Sequence, residues 1–503
     1  MKRIKIAYLI MVGIFLITVS TGCKKFLTEV PLSSSTLENY FTKKADLTAA
    51  VTAMYASFQH EMTGAGTSST WGKYHYWGEG RSDNFDRSGY ANSIMTELSL
   101  NGLTSTNQAT DWSGLYRTIT RANTCIKYLP GIPKHDPKVT KDILENSLAQ
   151  AYAMRAMCYF YIIRLWGDAP IWTEPYDDVA KTAEKKREPV EKILDSLIIP
   201  DLNNAYSLIG SGKTSDVWTI GEGAICAMMT NVYMWKQDYP NAIIWIKNLF
   251  KAKASTGKVF GGNSPSDIVS TADWKNLFLT PDKTIENIWS IHWDFNVNGC
   301  ACMPSSIYYN NSPVEIDSVV RTDWPMDTLD IREKQTIDPN VGYHGWLLKY
   351  YPNAVATQGW KPVDDVKALP VYLVMYRLGG IYLLYAEALN KTGNTADAVK
   401  YLNFIHTRAG LPAYQESDFA NQDELEDAIL DERRWELFGE GNRWFDLVRT
   451  NHVNKVMDPV MKIRQEKFGI GASGFGSNKD KVLWPLNRDV LEDNKLLVQN
   501  PSY

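Results

Sequence analysis

The stretch TNVYMWKQDYPNAIIWIKNLF, residues 230–250, decides the fold, because its form recurs in AEALNKTGNTADAVKYLNFIH, residues 386–406. Sliding the first onto the second pairs Ala242 with Ala398, Ile243 with Val399, Trp245 with Tyr401, Ile246 with Leu402 and Leu249 with Ile405. Each copy reads as two amphipathic helices joined by a short polar turn, with a small residue where the helices cross. Hairpins of this kind cannot bury their apolar faces alone, and they stack on one another as tetratricopeptide-type repeats do. The expected fold is mainly α, a helical-repeat scaffold.

Outward from this pair, helical periodicity continues in DWSGLYRTITRANTCIKYLP, in ILENSLAQAYAMRAMCYFYIIRLWGDAP, from Pro189 to Ile209 and from Trp218 to Lys253. It resumes in YRLGGIYLLYAEALNKTG and QDELEDAILDERRWELFGEG. Near the start, Leu47, Val51, Met54, Tyr55 and Phe58 fall on one helical face behind serines suited to cap it. Two segments break the pattern. From His60 to Asp111, Gly, Ser and Asn interrupt the aromatics, which predicts a long loop. Between Ser255 and Pro370 stand nine prolines and six tryptophans, too many breakers for long helices and too many aromatics for a disordered linker. The reading is one compact fold in three parts: helical 23–254, irregular and ligand-binding 255–370, helical 371–503.

The first 22 residues are of another kind. Lys2, Arg3 and Lys5 precede an uncharged run from Ile6 to Val19, and Ser20, Thr21 and Gly22 follow. Fourteen helical residues span about 21 Å, short of the roughly 30 Å hydrocarbon core, so the run reads as a cleaved leader, not a membrane span. Cys23 directly after Gly22 resembles a bacterial lipobox, with Ser20 where that motif has Leu. An acylated Cys23 would carry more than one chain, enough for stable anchoring.

Removing the leader takes three of the 53 basic residues and leaves 57 acidic ones. A mildly acidic protein is poorly matched to nucleic acid. Six cysteines at irregular spacing form neither a paired zinc pattern nor a disulfide framework; Cys125, Cys158 and Cys226 fit as small buried hydrophobes, while Cys300 and Cys302 make a weak metal or redox pair.

Catalytic motifs are scarce. GIGASG, Gly469 to Gly474, matches a dinucleotide fingerprint in letters but lacks the strand before and the helix after that phosphate binding needs. Asp323, Asp327 and Asp330 lack the turn glycine and closing Glu of an EF-hand loop. Glu436 and Glu440 stand one turn apart and could be a glycosidase pair, but Arg433, Arg434 and Arg443 nearby would hold them ionised. With 17 Trp and 27 Tyr, the aromatics are the richer signal. A sugar ring offers a face of C–H groups and a rim of hydroxyls, so its binder needs exposed rings beside Asp, Asn or Arg. Two segments meet that description: Trp71, Tyr74, Tyr76 and Trp77 beside Arg81, Asp83 and Asn84; and Trp289, Trp293, Tyr308, Tyr309 and Trp324 with Asn310 and Asn311.

In order along the chain, CKKFLTEVP, YRTITRANTCI, AQAYAMRAMCYFYIIRLWGDAPI, YRLGGIYLLYAEALNKTGN, YLNFIHTRAGLP, ERRWELFGEGNRWFDLVR and KVLWPLNRDVLEDNKLLVQNPSY resemble the SusD/RagB family of outer-membrane glycan-binding lipoproteins. The resemblance implies a tetratricopeptide-like scaffold with an irregular ligand-binding face. It implies no catalysis, but capture of oligosaccharide at the cell exterior and delivery to a partner SusC-like TonB-dependent transporter; the residues themselves name no cofactor and no metal-ligand set. It places the aromatic platform near Trp77, Trp293, Tyr308 and Trp324, with Asp83 and Asn84 as polar contacts. The alternatives are a peptide-binding helical adaptor, whose aromatics would be core, and a glycoside hydrolase using Glu436 and Glu440.

Overall fold

The computed structural model describes residues 40–64, 72–176, 182–298, 312–324, 329–337, 347–350, 370–476 and 479–503. Cys23, Trp71, Cys300, Cys302, Tyr308, Tyr309, Asn310, Asn311 and Asp327 lie outside the described residues.

In chain order the principal elements are α1 (Lys44–Thr63), α2 (Lys73–Gly78), β1 (Phe85–Arg87), α3 (Ser93–Ser99), α4 (Ser113–Tyr128), α5 (Lys141–Trp166), α6 (Ile199–Ile209), α7 (Glu222–Trp235) and α8 (Tyr239–Lys251). There follow β2 (Asn287–Trp293), β3 (Val314–Ile316), β4 (Val371–Arg377), α9 (Leu378–Lys391), α10 (Thr395–Arg408), α11 (Gln422–Glu436), α12 (Arg443–Arg449), α13 (Val453–Phe468) and α14 (Arg488–Asp493). Helices pack largely on their neighbours in sequence, α4 on α5, α5 on α6, α7 on α8, α8 on α9 and α9 on α10. This makes a mainly α, tetratricopeptide-like scaffold.

The paired stretches form matching hairpins down to their turns. Gln237 and Gly393, equivalent positions, both take positive φ (56° and 81°). The next residues, Asp238 and Asn394, cap α8 and α10 by accepting from Asn241 N and Asp397 N. At the crossings Ala242 and Ala398 are fully buried, as are Ile246, Leu402, Leu249 and Ile405. A larger side chain at either alanine would force the helices apart.

Three boundaries differ from the sequence reading. Residues 60–111 are not one long loop: they hold α2, β1 and α3. Helix α1 begins at Lys44, where the Asp46 carboxylate accepts from Thr42 N and Lys43 N at 3.0 and 2.8 Å, in place of a serine cap. Trp218 is outside α7 altogether.

Two antiparallel ribbons carry the irregular part. β1 pairs with β3, and β2 pairs with β4 in the register Ser290↔Val374, Ile291↔Leu373, His292↔Tyr372 and Trp293↔Val371. Opposite residues share a face, and successive residues alternate. Ile291, Trp293, Val371 and Leu373 are buried, while His292 and Tyr372 remain partly exposed.

Among the described residues no helix is long and apolar enough to cross a membrane.

Candidate functional site

The expected platform does not form. Trp77 is fully buried, its Nε1 donating to Ala109 O at 2.9 Å and its ring tilted against Tyr161 and edge-on to Trp166. Trp293 sits on the inward face of β2 with no exposed surface. Trp324 is stacked on Trp435 at 4.9 Å, and its Nε1 donates to Asp330. Rings with no accessible face cannot receive a sugar, so these three indoles are corrected to core. Tyr308 lies outside the described residues.

Asp83 and Asn84 are corrected with them. Arg443 reaches both Asp83 oxygens at 2.9 and 3.0 Å, and Arg434 approaches at 3.1 Å. Burial would raise the Asp83 carboxyl, but these two guanidinium groups hold it well below the usual range. Asn84 donates to Glu79 and accepts from Arg434 Nε at 2.9 and 3.0 Å. The polar groups that looked like a ligand rim are pinned by arginines from α11 and α12, roughly 350 residues away in the chain.

Glu436 and Glu440 belong to a larger buried ion cluster at the end of β4. Arg377 donates to Glu440 at 2.8 and 2.9 Å, to Glu286 at 3.0 Å and to Glu436. Arg408 joins Glu286 to Glu436; Arg332 reaches Glu432 at 2.6 Å and Glu436 at 3.4 Å; Lys349 donates to Glu440 at 2.8 Å. Burial favours a protonated Glu436, yet Arg408, Arg377 and Arg332 outweigh it and keep the carboxylate ionised. A glycosidase acid must retain its proton. Full burial and three arginines suit this glutamate to holding strands and helices together. Gly439 and Gly441, at φ 73° and 70°, turn the chain beside it. Asp330, the last of the acidic residues without an EF-hand loop, is buried against Arg332. Gly469 is the left-handed cap of α13, in keeping with a glycine loop and not a phosphate cradle.

Three partly exposed aromatics gather elsewhere. On the outer face of the β2–β4 ribbon His292 and Tyr372 lie side by side, ring centroids 5.3 Å apart. Trp218 joins them, 5.1 Å from Tyr372 and 5.8 Å from His292. Its segment is fixed on both sides: Asp216 accepts from Trp218 N and Thr219 N at 2.8 Å, and Val217 O accepts from Ser290 N of β2 at 2.7 Å. Gln59 of α1 donates to His292 O, and Asn298 donates to Gln59 at 3.2 Å. Burial lowers the His292 imidazole against the pull of Asp294, favouring the neutral ring. Burial, then Asp282 and Asp294, raise the Tyr372 hydroxyl. The result is a three-ring shelf, its rings tilted 33°, 46° and 79° against one another and edged by carboxylates and amides, with ring surface for a flat C–H face and partners for its hydroxyls. Sequence reasoning missed it by starting a helix at Trp218. The period-two alternation in NIWSIHW and VYLVMYR was the available signal, since it sends His292 and Trp293 to opposite faces.

Comparison with known proteins agrees with this scaffold. The sequence model of the SusD family matches residues 328–503, and that of the family described as starch-binding, associating with the outer membrane, matches residues 25–234; together they span more than three quarters of the chain. A SusD-like protein, P38, of Formosa agariphila is 29% identical across 100% of this chain and 99% of its own. A SusD superfamily protein of Bacteroides vulgatus superposes with a TM-score of 0.73 at 16% identity, covering 93% of this chain and 100% of that one. Surface glycan-binding protein A of Bacteroides thetaiotaomicron gives 0.71 at 18% identity, covering 92% and 100%. The chain belongs to the SusD/RagB family.

Proposed function

We propose that this protein is an outer-membrane lipoprotein that captures a glycan on the shelf of Trp218, His292 and Tyr372 and passes it to a TonB-dependent transporter. Residues 1–22 would be its leader and acylated Cys23 its anchor. The family description, starch-binding and associating with the outer membrane, supports the ligand class and location, and so does the likeness to surface glycan-binding protein A of Bacteroides thetaiotaomicron. The observation that carries the reading is three partly exposed rings packed together, two on the outer face of the β2–β4 ribbon and Trp218 from the segment docked on it, beside carboxylates and amides. Asp282 and Asp294, the charges acting on Tyr372, point to an uncharged glycan, since a sulfated or uronic chain would meet like charge.

The test is affinity electrophoresis of the full-length protein through gels containing neutral or acidic polysaccharides. Retardation by a neutral polysaccharide, abolished in Trp218→Ala and Tyr372→Ala variants that keep their unfolding midpoint, is expected. Retention unchanged in both variants would overturn the assignment.

A further inference from the structure

A second cleft lies apart from the shelf, between the start of α4, the extended segment after α5 and the C-terminal stretch around α14. It encloses about 170 Å³ and is lined by Trp112, Tyr116, Pro170 and Trp172 on one side and Val490, Asp493, Asn494 and Leu497 on the other, with Ser113 at its edge. That is well below the roughly 300 to 1,000 Å³ of drug-sized sites, so it suits one small ring and not an extended chain.

Its aromatic wall is held in advance of any ligand. Tyr116 donates its hydroxyl to Pro170 O at 2.8 Å and packs edge-on to Trp112. Trp112 is edge-on in turn to buried Trp166. Lys185 Nζ sits 4.0 Å from the centre of the Trp172 ring and donates to Ile171 O at 2.9 Å, fixing that indole from outside. Asn494 is anchored by its bond to Lys185 O at 2.8 Å. Rings already ordered lose little freedom on binding. The opposite rim supplies a carboxylate and an amide, acceptors and donors for hydroxyl groups. Among the described residues lining the cleft, Asp493 carries the formal charge, and it is exposed.

We propose that this cleft is a second carbohydrate subsite, taking a single neutral pyranose unit stacked on Tyr116 and Trp172 with its hydroxyls on Asp493 and Asn494. This rests on the carbohydrate reading of the shelf but is independent of it in location. Two separated sites on one rigid body would hold one polysaccharide at two points, raising retention through effective concentration.

The test is ¹⁹F NMR of the full-length protein labelled with 5-fluorotryptophan, with the Trp172 and Trp218 resonances assigned by W172F and W218F. The probes are methyl glucopyranosides, mannopyranosides and galactopyranosides of both anomers, with glucuronic acid as the charged control. A saturable shift of the Trp172 resonance with at least one neutral glycoside, unchanged in W218A and absent with glucuronic acid, is expected. Loss of the Tyr116 ring should weaken it about tenfold, and Asp493→Ala, at an exposed position, about fivefold. A Trp172 resonance that stays still with every probe overturns the subsite whether or not Trp218 responds. An equal response to glucuronic acid overturns the preference for neutral sugars. Movement of Trp172 with Trp218 silent upholds the cleft and counts against the shelf.

Discussion

The two faces of the β2–β4 ribbon carry the same kinds of residue and do opposite things. Trp293 and His292 are neighbours in sequence, yet Trp293 is sealed into the core and His292 stands partly in water beside Tyr372. Strand alternation points them to opposite faces, and the position of His292 near the end of β2 leaves it uncovered where Ser290, two residues earlier, is buried. The inner face ends at Arg377, which carries the ribbon into the buried cluster of Glu286, Glu436 and Glu440. On the outer face Ile288, Ser290 and Val374 are buried as well, and exposure begins only at His292 and Tyr372, beside Trp218. Aromatic content therefore does not mark a ligand surface; the direction of each side chain does. If this division holds, inner-face changes should cost stability and outer-face changes should cost binding.

The largest effect is expected at the inner end. Arg377→Ala leaves Glu436 and Glu440 buried without their principal partner and should destabilise the protein by about 5 kcal/mol, enough to prevent folding in many hosts. The chemical denaturation midpoint checks this, and a loss under 1 kcal/mol would show the cluster to be dispensable. Next, Trp293→Ala empties a fully buried indole site and should cost about 3 kcal/mol. Measured by the same unfolding curve, a near-neutral result would place Trp293 on a surface.

Acid should act on the interior before the shelf. Burial pulls the His75 imidazole down to about 3, so its contribution is present above the unfolded value of 6.5 and is lost as pH falls from there toward 3. Burial pushes the Glu79 carboxyl up to about 7, against hydrogen bonds from Asn84, Asn442 and Gly441. Its contribution is present below 4.5 and is lost as pH rises through 7. The two oppose each other between pH 6.5 and 4.5, where the unfolding free energy should stay nearly flat. Below 4.5 His75 acts unopposed and is joined by Asp83 and Glu436, whose lowered carboxyls lose their stabilisation on protonation. The decline there should reach at least about 1.4 kcal/mol per pH unit. A steady decline starting at pH 6.5 would contradict the protonation assigned to Glu79.

What was legible in the sequence was local. The hairpins at 230–250 and 386–406 announce themselves through small residues at the crossings and caps at Asp238 and Asn394, all within a few positions of one another. The platform was not legible, because the fate of Trp77, Asp83 and Asn84 depends on Arg434 and Arg443, which only the completed fold brings to them. Arg81 shows the same thing: it donates to Lys481 O and Val482 O and lies over the Trp444 ring. Polar residues beside tryptophans in an irregular stretch look like a binding rim until their distant partners are known. The stretch DERRWELFGEGNRWFD, whose arginines the sequence places beside Glu436 and Glu440, proved to be the hub that supplies those partners. Its Arg433 and Asp446 also pair with each other, and Arg449 ties Asp446 to Glu387.

The outer-face claim meets its most direct test in titration calorimetry of the full-length protein with whichever neutral polysaccharide it binds in gels, comparing the native chain with Trp218→Ala/Tyr372→Ala. Loss of two stacking rings predicts an affinity at least tenfold weaker, with the unfolding free energy changed by less than about 1 kcal/mol, as for partly exposed positions. Affinity unchanged in the double variant, with the fold intact, would contradict capture on this face.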